Sequence, residues 1–131
     1  MIGPELQKGI YDALVAAAVA GGRIYDNPPK QPTFPYVTIG DEQLVSDGDD
    51  AGGCDTGDEV SVDVHVWSRP GTGSKAQAKT LAAAAVAALR TVSVSGHAVT
   101  LAEPDTVRTF RDPDGVTEHS VITFTYHISR T

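Results

Sequence analysis

The segment EVSVDVHVW, from Glu59 to Trp67, alternates apolar and polar side chains without a break. Successive side chains of a strand point to opposite faces, and the β-branched valine favours extended structure. The apolar members of the segment are Val60, Val62, Val64 and Val66. The segment therefore predicts a strand that buries its valines on one face and presents Trp67 on the opposite face.

Further strands are predicted on both sides of this segment. Tyr36 to Val45 has Val37 and Ile39 on one face. Near the C-terminus, Val121 to Ile128 alternates in the same way, with an apolar face of Ile122, Phe124, Tyr126 and Ile128. Two shorter strands are expected at His97 to Leu101 and Val107 to Arg111. Asp112 to Gly115, with Pro at the second position and Gly at the fourth, favours a type I turn before the last strand.

Two amphipathic helices complete the set of predicted elements. Leu6, Ile10 and Leu14 lie at four-residue spacing in the segment from Gly3 to Ala20, and Gly21 with Gly22 should end that helix. The alanine-rich segment from Lys75 to Thr91 is the second helix, with Ser74 as its N-cap. Its apolar stripe is narrow and made mostly of small residues: Ala78, Leu81, Ala82, Ala85 and Leu89.

The elements predict a single α+β domain over residues 1–131, in the order αββαββ. A largely antiparallel sheet of about four strands should carry both α-helices on one face. Asp26 to Pro35 contains four prolines, which exclude a helix interior and a central strand, so this segment should be a connector. A length of 131 residues suffices for one hydrophobic core without disulfides or metals.

The charge of the chain argues against several classes of function. The formal net charge is −7 and the ten basic residues are scattered, which disfavours binding to nucleic-acid phosphates or to anionic membranes. A lone cysteine, Cys54, cannot form an internal disulfide, which favours the reducing cytosol. We expect no signal peptide, and the longest apolar run, Leu81 to Leu89, is too short to cross a bilayer.

The most unusual local feature is an acidic loop from Ser46 to Gly57, followed closely by further acids. Asp47, Asp49, Gly52 and Asp58 match part of the spacing of a calcium-binding loop. Its fifth ligand position is occupied by Ala51, however, and strands flank the loop where helices are required. A solvated loop is the favoured interpretation.

The histidines show no metal-binding spacing such as HExxH. His65 and His127 could still meet across strands beside Asp63, which leaves open a small metal- or ligand-binding domain. The segment from Arg69 to Lys75 lies between a strand and a helix, but it lacks the glycine and lysine spacing of a phosphate-binding loop. We therefore predict no catalytic residues, no cofactor and no metal site, and we expect a protein that is not an enzyme.

Trp67 is predicted opposite the valines, and Phe34 and Tyr36 lie near the proline-rich connector. Aromatic side chains displayed away from one core either join a second core or form an intersubunit surface. If the helices covered this face, the aromatic residues would be internal. The sequence leaves both possibilities open.

An ordered set of segments resembles a known family. The leading helix is followed by Gly21 to Tyr25, by Phe34 to Gly40, by Val64 to Arg69, by the alanine-rich helix, and by Arg111 to Gly115 before the closing strand. In order and spacing this set resembles the tail-completion, or tail-terminator, proteins of long-tailed bacteriophages and of phage-derived gene transfer agents. The likeness covers nearly the whole chain.

The resemblance implies a structural virion protein without a catalytic site. Such a protein forms a homo-oligomeric ring, commonly a hexamer, that caps the tail tube protein at final length and docks to a head-connector or neck protein. A neck or head-closure protein of the same assembly is the nearest alternative. The protein would lie at the tail-neck junction of the virion, and in the host cytoplasm during assembly. The candidate interface or lumen residues are Tyr36, Trp67, Arg69, Asp47, Asp49, Asp50, Asp55 and Asp58.

An acidic loop that lined the lumen of such a ring would repel DNA phosphates. DNA would then pass through the lumen without specific binding, because no Lys or Arg contacts would hold it. The competing explanation is that the acidic residues only keep the subunit soluble before assembly.

Overall fold

The computed structural model describes residues 3–46, 57–71 and 74–129. Two α-helices, a short 3-10 helix and five strands lie in these residues. In chain order they are α1 (Gly3–Ala16), the 3-10 helix (Val19–Gly22), β1 (Ile24–Tyr25), β2 (Tyr36–Ser46), β3 (Gly57–Ser68), α2 (Ala76–Leu89), β4 (Val99–Arg111) and β5 (Glu118–Ser129).

The strands form one sheet in the order β1-β2-β3-β5-β4. The two-residue β1 runs parallel to β2, and every other neighbouring pair is antiparallel. β3 lies at the centre, where Val64 is opposite Ile39 of β2 on one side and Ile122 of β5 on the other. The predicted α+β class and the largely antiparallel sheet are confirmed, with five strands where about four were expected.

One face of the sheet carries the hydrophobic core. The four β3 valines and the predicted apolar face of β5 are buried there. They pack in one cluster with Leu6, Ile10 and Leu14 of α1 and with Ala82, Ala85 and Leu89 of α2. Both helices thus cover the same face, as predicted, and the small α2 residues leave room for that helix to lie close to the sheet.

The two short strands predicted after α2 are one long strand, and this is a correction. His97 to Leu101 and Val107 to Arg111 were expected as separate pieces, but β4 runs without interruption from Val99 to Arg111. Pro104 does not end it, because β4 is an edge strand and the register shifts between Pro104 and Thr106. An edge position and a bulge are the places where a sheet tolerates proline.

Helix α1 is shorter than predicted, because it ends at Ala16 instead of Ala20. Ala18 and Ala20 have positive φ angles of 52° and 51°, which are incompatible with continuing a right-handed helix. With these two residues in the left-handed conformation, the chain leaves the helix axis, buries Val19 and Ala20, and continues into β1. An alanine in the left-handed region carries no sequence signal, since alanine otherwise favours helix.

Helix α2 has the boundaries that its sequence suggests, within two residues. The N-cap residue is Lys75 and not Ser74 as predicted, since the helix begins at Ala76. The Ser74 hydroxyl still accepts a hydrogen bond from the backbone N–H of Ala76 at 3.1 Å and satisfies one of the open donors of the first turn. At the other end the Tyr126 hydroxyl donates to the Leu89 carbonyl at 2.8 Å. Burial raises the pKa of Tyr126, which keeps the hydroxyl protonated as a donor.

The left-handed Ala18 gives a stability prediction. Ala18 is exposed, so Ala18→Gly removes the steric penalty of positive φ without opening a cavity. We expect the free energy of unfolding to rise by roughly 0.5–1 kcal/mol, measured by chemical denaturation.

The matched control is Ala84→Gly, at an exposed position inside α2. There glycine should lower the free energy of unfolding by about 1 kcal/mol, because a right-handed helix gains nothing from it. Equal destabilisation by both substitutions would contradict the left-handed conformation of Ala18.

Candidate functional site

The sheet face opposite the helices carries a row of four ring side chains, one from each long strand. In the register, Tyr36 of β2 is opposite Trp67 of β3, Trp67 is opposite His119 of β5, and His119 is opposite Phe110 of β4. We call these four residues the aromatic row. Their positions follow from the strand period, because each lies on the face opposite the core residues of its own strand.

The rings of the row are in contact across the strands. Trp67 stacks on His119 with ring centroids 3.7 Å apart and on Tyr36 at 6.0 Å, and Phe110 lies 4.8 Å from His119. Cross-strand pairs of this kind stabilise a sheet by a few tenths to about 1 kcal/mol each. Tyr36 and His119 are nearly buried by their neighbours, at 8% and 7% exposed, whereas Trp67 and Phe110 are half-buried. The row is therefore ordered within a single subunit.

One member of the row, His119, forms a hydrogen-bonded pair with His65 of β3, which lies outside the row. The Nδ1 of His65 and the Nε2 of His119 are 2.8 Å apart, and Asp112 Oδ1 is 3.4 Å from the Nδ1 of His119. Burial lowers the pKa of His119, and the neighbouring His65 lowers it further, while Asp112 acts in the opposite direction. At neutral pH this arrangement favours an uncharged His119 that stacks on the Trp67 indole.

Arg69 connects one end of the row to the turn between β4 and β5. Its Nε and Nη2 donate to the Thr117 hydroxyl at 3.1 and 3.0 Å, and Nη2 lies 3.4 Å from Asp114. Its guanidinium also sits 4.2 Å above the Phe34 ring. A hydrogen bond from the Thr117 hydroxyl and two backbone donors lower the pKa of Asp114 to about 2. Arg69 thus fixes both the turn and the proline-rich connector.

The interpretation that Asp63, His65 and His127 form a metal site is wrong, because the β3–β5 register separates the two histidines. His65 is opposite Val121, six residues from His127, which corresponds to about 20 Å along a strand. His127 instead approaches Glu59 Oε1 at 2.8 Å, and Asp63 accepts a hydrogen bond from Thr123. The described part of the chain contains no cluster of three or more His, Cys, Asp or Glu side chains arranged to hold a metal.

The candidate residues predicted from sequence fall into three groups. Tyr36 and Trp67 lie in the aromatic row, and Arg69 lies beside it. Asp47, Asp49, Asp50 and Asp55 lie outside the described residues, as does most of the partial calcium-loop pattern. Asp58 was expected in the acidic loop but belongs to β3, which begins at Gly57. It is only 8% exposed and shares the face of the β3 valines, which is the face that carries the helices.

Sequence reasoning missed His119 and Phe110. The alternation of β5 extends back to His119, but the strand was expected to begin at Val121, so His119 was left outside it. Phe110 was inside a predicted strand, but nothing local specifies that it meets His119. That contact depends on the register set by the turn that the Asp112 to Gly115 sequence predicts.

An open cleft of about 480 Å³ adjoins the row and is lined by Asp26, Tyr36, Asp41, His65 and Trp67, among others. In its lining, the Thr38 hydroxyl accepts a hydrogen bond from the Trp67 indole at 3.1 Å, and His65 pairs with His119. Neither described helix is long and apolar enough to cross a membrane. Together these features define a small α+β domain in which both described α-helices cover one sheet face and no described helix covers the other.

Comparison with known proteins identifies the class more closely. Residues 8–129 match the model of the family described as tail completion protein gp17, and the chain therefore belongs to that family. Its role is that of a structural protein of a phage tail. No curated protein matches the chain.

A solved structure shares the fold. It is a chain of the virion of a native gene transfer agent particle, with a TM-score of 0.79 and 23% sequence identity. The alignment covers 98% of this chain and 97% of that chain. At this identity the match establishes the common fold, and it extends over the complete α+β subunit.

The histidine pair gives a pH prediction. Because the folded state lowers the pKa of His119 below its ordinary value of 6.5, the unfolded chain binds this proton more readily. The associated stability is complete above about pH 6.5 and is lost as the pH falls through the lowered pKa. We expect the free energy of unfolding to decrease between pH 7 and pH 5, by at most about 1.4 kcal/mol per pH unit from this group.

His119→Gln should flatten this pH dependence, measured by denaturation with Trp67 fluorescence as the probe. The control is His97→Gln, because the His97 ring lies near Ser129 and outside the aromatic row. A slope that persists in His119→Gln and disappears in His97→Gln would contradict the assignment.

Proposed function

We propose that the protein assembles into a closed ring, most simply a hexamer, that caps the tail tube and joins the tail to the head connector. It would act at the tail-neck junction of the virion as a structural subunit and not as an enzyme. Family membership supports the general role in the tail. The ring, its stoichiometry and the two docking partners are the parts that this proposal adds.

The observation that carries the proposal is the uncovered sheet face. Both helices lie on the face of the β3 valines, so the face with the aromatic row has no covering layer among the described elements. A closed ring requires a heterologous interface, in which one patch meets a different patch of the next copy. An uncovered face and two sheet edges supply several distinct patches on one subunit.

The composition of the uncovered face suits a protein contact. Aromatic residues and arginine are enriched in interfaces, and rigid rings lose little conformational entropy when they bind. Tyr36, Trp67 and Arg69 are held by contacts within the subunit, so they are ordered before any partner arrives. We propose that this end of the sheet contacts another ring subunit, the tail tube protein or the head-connector protein.

Assembly is tested directly with the purified protein. We expect a concentration-dependent oligomer by mass measurement and rings in electron micrographs. On tail tubes assembled from the tube protein, the rings should bind at one end. A chain that remains monomeric at all concentrations and leaves the tube ends bare would contradict the proposal. Binding to isolated heads and not to tubes would favour a neck or head-closure protein.

The acidic loop is proposed to line the lumen and keep DNA from adhering to it. Exchange of Asp47, Asp49, Asp50 and Asp55 for asparagine should leave ring assembly intact, because amides preserve side-chain size. DNA passage should slow, because repulsion of the phosphates is reduced. The readout is the rate of DNA release from complete particles. A control variant neutralises Glu5 and Asp12, which are exposed and lie in α1, outside the loop. Equal effects of both variants, or none, would contradict a lumenal role for the loop.

A further inference from the structure

The sheet ends in two edges of very different character. No described strand pairs with the outer side of β4, which is 13 residues long. At the other end β1 covers only Val37 and Thr38 of β2, so among the described strands residues 39–46 of β2 have β3 as their only neighbour. Uncovered strands of this length present backbone donors and acceptors to any strand that can align with them.

An apolar groove runs along the β4 edge on the helix side of the sheet. It has a volume of about 330 Å³ and lies between α2 and β4. Its walls are Ala82, Ala83 and Val86 of α2 with Val107 and Thr109 of β4, and Lys79 lies at one end. Val107 is 46% exposed, which is unusual for a valine on the core side of a sheet.

The exposed part of β2 carries a side chain that matches this groove. Leu44 is 40% exposed and lies opposite Val60, so it occupies the helix side of the sheet, as Val107 does. Glu42 is opposite Val62 and therefore shares that side. The β2 edge thus presents one apolar and one acidic side chain, while the β4 groove presents apolar walls and a lysine.

The strand directions favour joining these two edges in a ring. Three successive antiparallel pairings connect β2 to β4 through β3 and β5, so β2 and β4 run in opposite directions. A ring axis parallel to the strands generates the next copy by a rotation that leaves the direction of its β2 unchanged. That copy's β2 would therefore meet β4 antiparallel, which is a stable and common pairing.

We propose that residues 39–46 of β2 in one copy pair antiparallel with β4 of the next copy, with Leu44 in the groove. Opposite Val107, Leu44 buries its apolar surface, and the antiparallel direction brings Glu42 opposite Thr109, beside Lys79. A parallel direction would bring Glu42 towards Asp105 instead, where like charges repel. The sheet continues from subunit to subunit. This interface rests on the proposed ring and names the two surfaces that close it.

The first test places a charge in the apolar contact. Leu44→Lys and Val107→Lys alter exposed side chains, so the subunit should fold. Each should raise the apparent dissociation constant of the oligomer by roughly 10- to 100-fold, because the apolar burial is lost. Val116→Lys is the matched control, since Val116 is 52% exposed and lies in the β4–β5 turn, outside both edge strands. Oligomers unaffected by either edge variant would overturn the proposal.

The second test exchanges the charges. Glu42→Lys and Lys79→Glu should each weaken assembly by roughly 3- to 10-fold, and the chain carrying both should recover most of the loss. Additive weakening in the double variant would overturn the proposed contact between Glu42 and Lys79.

The third test is a covalent link between copies. A chain carrying Cys54→Ser, Leu44→Cys and Val107→Cys should form a ladder of disulfide-linked oligomers on oxidation. The reason is that paired strands bring the Cα atoms of opposite residues within disulfide reach. An internal bond is excluded, since three strand spacings, about 14 Å, separate β2 from β4. Leu44→Cys with Val116→Cys is the control and should give no ladder.

The outcomes separate this interface from the function it serves. Rings that form on tail tubes without a ladder would overturn the edge pairing and leave the capping function standing. A wild-type chain that stays monomeric in solution and on tail tubes would overturn both.

Discussion

The packing of the β3 valines against α1 and α2 is the interaction on which the rest of the subunit depends. β3 is paired along its whole length with β5 and over most of it with β2, so its alternation fixes which face of the entire sheet is buried. A slip of one residue would move every valine to the other face and Trp67 into the core. The small side chains of α2 let that helix lie close to β5 and to its neighbours β3 and β4, and Tyr126 ties the end of the helix to β5.

Because the core uses one face, the opposite face is organised by a different kind of contact. Its side chains meet in cross-strand pairs: the aromatic row at one end, and hydrogen-bonded pairs such as Asp63 with Thr123 further along. These contacts satisfy polar groups on a face that no described helix covers. The side chains of this face are therefore held in place by contacts within the subunit.

The sequence predicted the elements whose signals are local. Clean alternation located β3 and β5 and placed Trp67 on the uncovered face, and apolar spacing located both helices. The misses have physical causes. The end of α1 depends on two left-handed alanines that tertiary packing imposes against their helix preference. The continuity of β4 through Pro104 depends on its position at the sheet edge, which no local pattern reveals. The contact of His119 with Trp67 depends on a register between strands about fifty residues apart, so residue type alone could not identify it.

Amide hydrogen exchange of dilute subunits and of assembled rings tests the central claim most directly, because it reports which backbone groups become paired on assembly. The account predicts added protection in residues 39–46 and along β4, with little change in the central strand β3, which is already paired on both sides. Protection confined to α1 or to the segment before β2, with both sheet edges exchanging as fast in the ring as in the subunit, would contradict it.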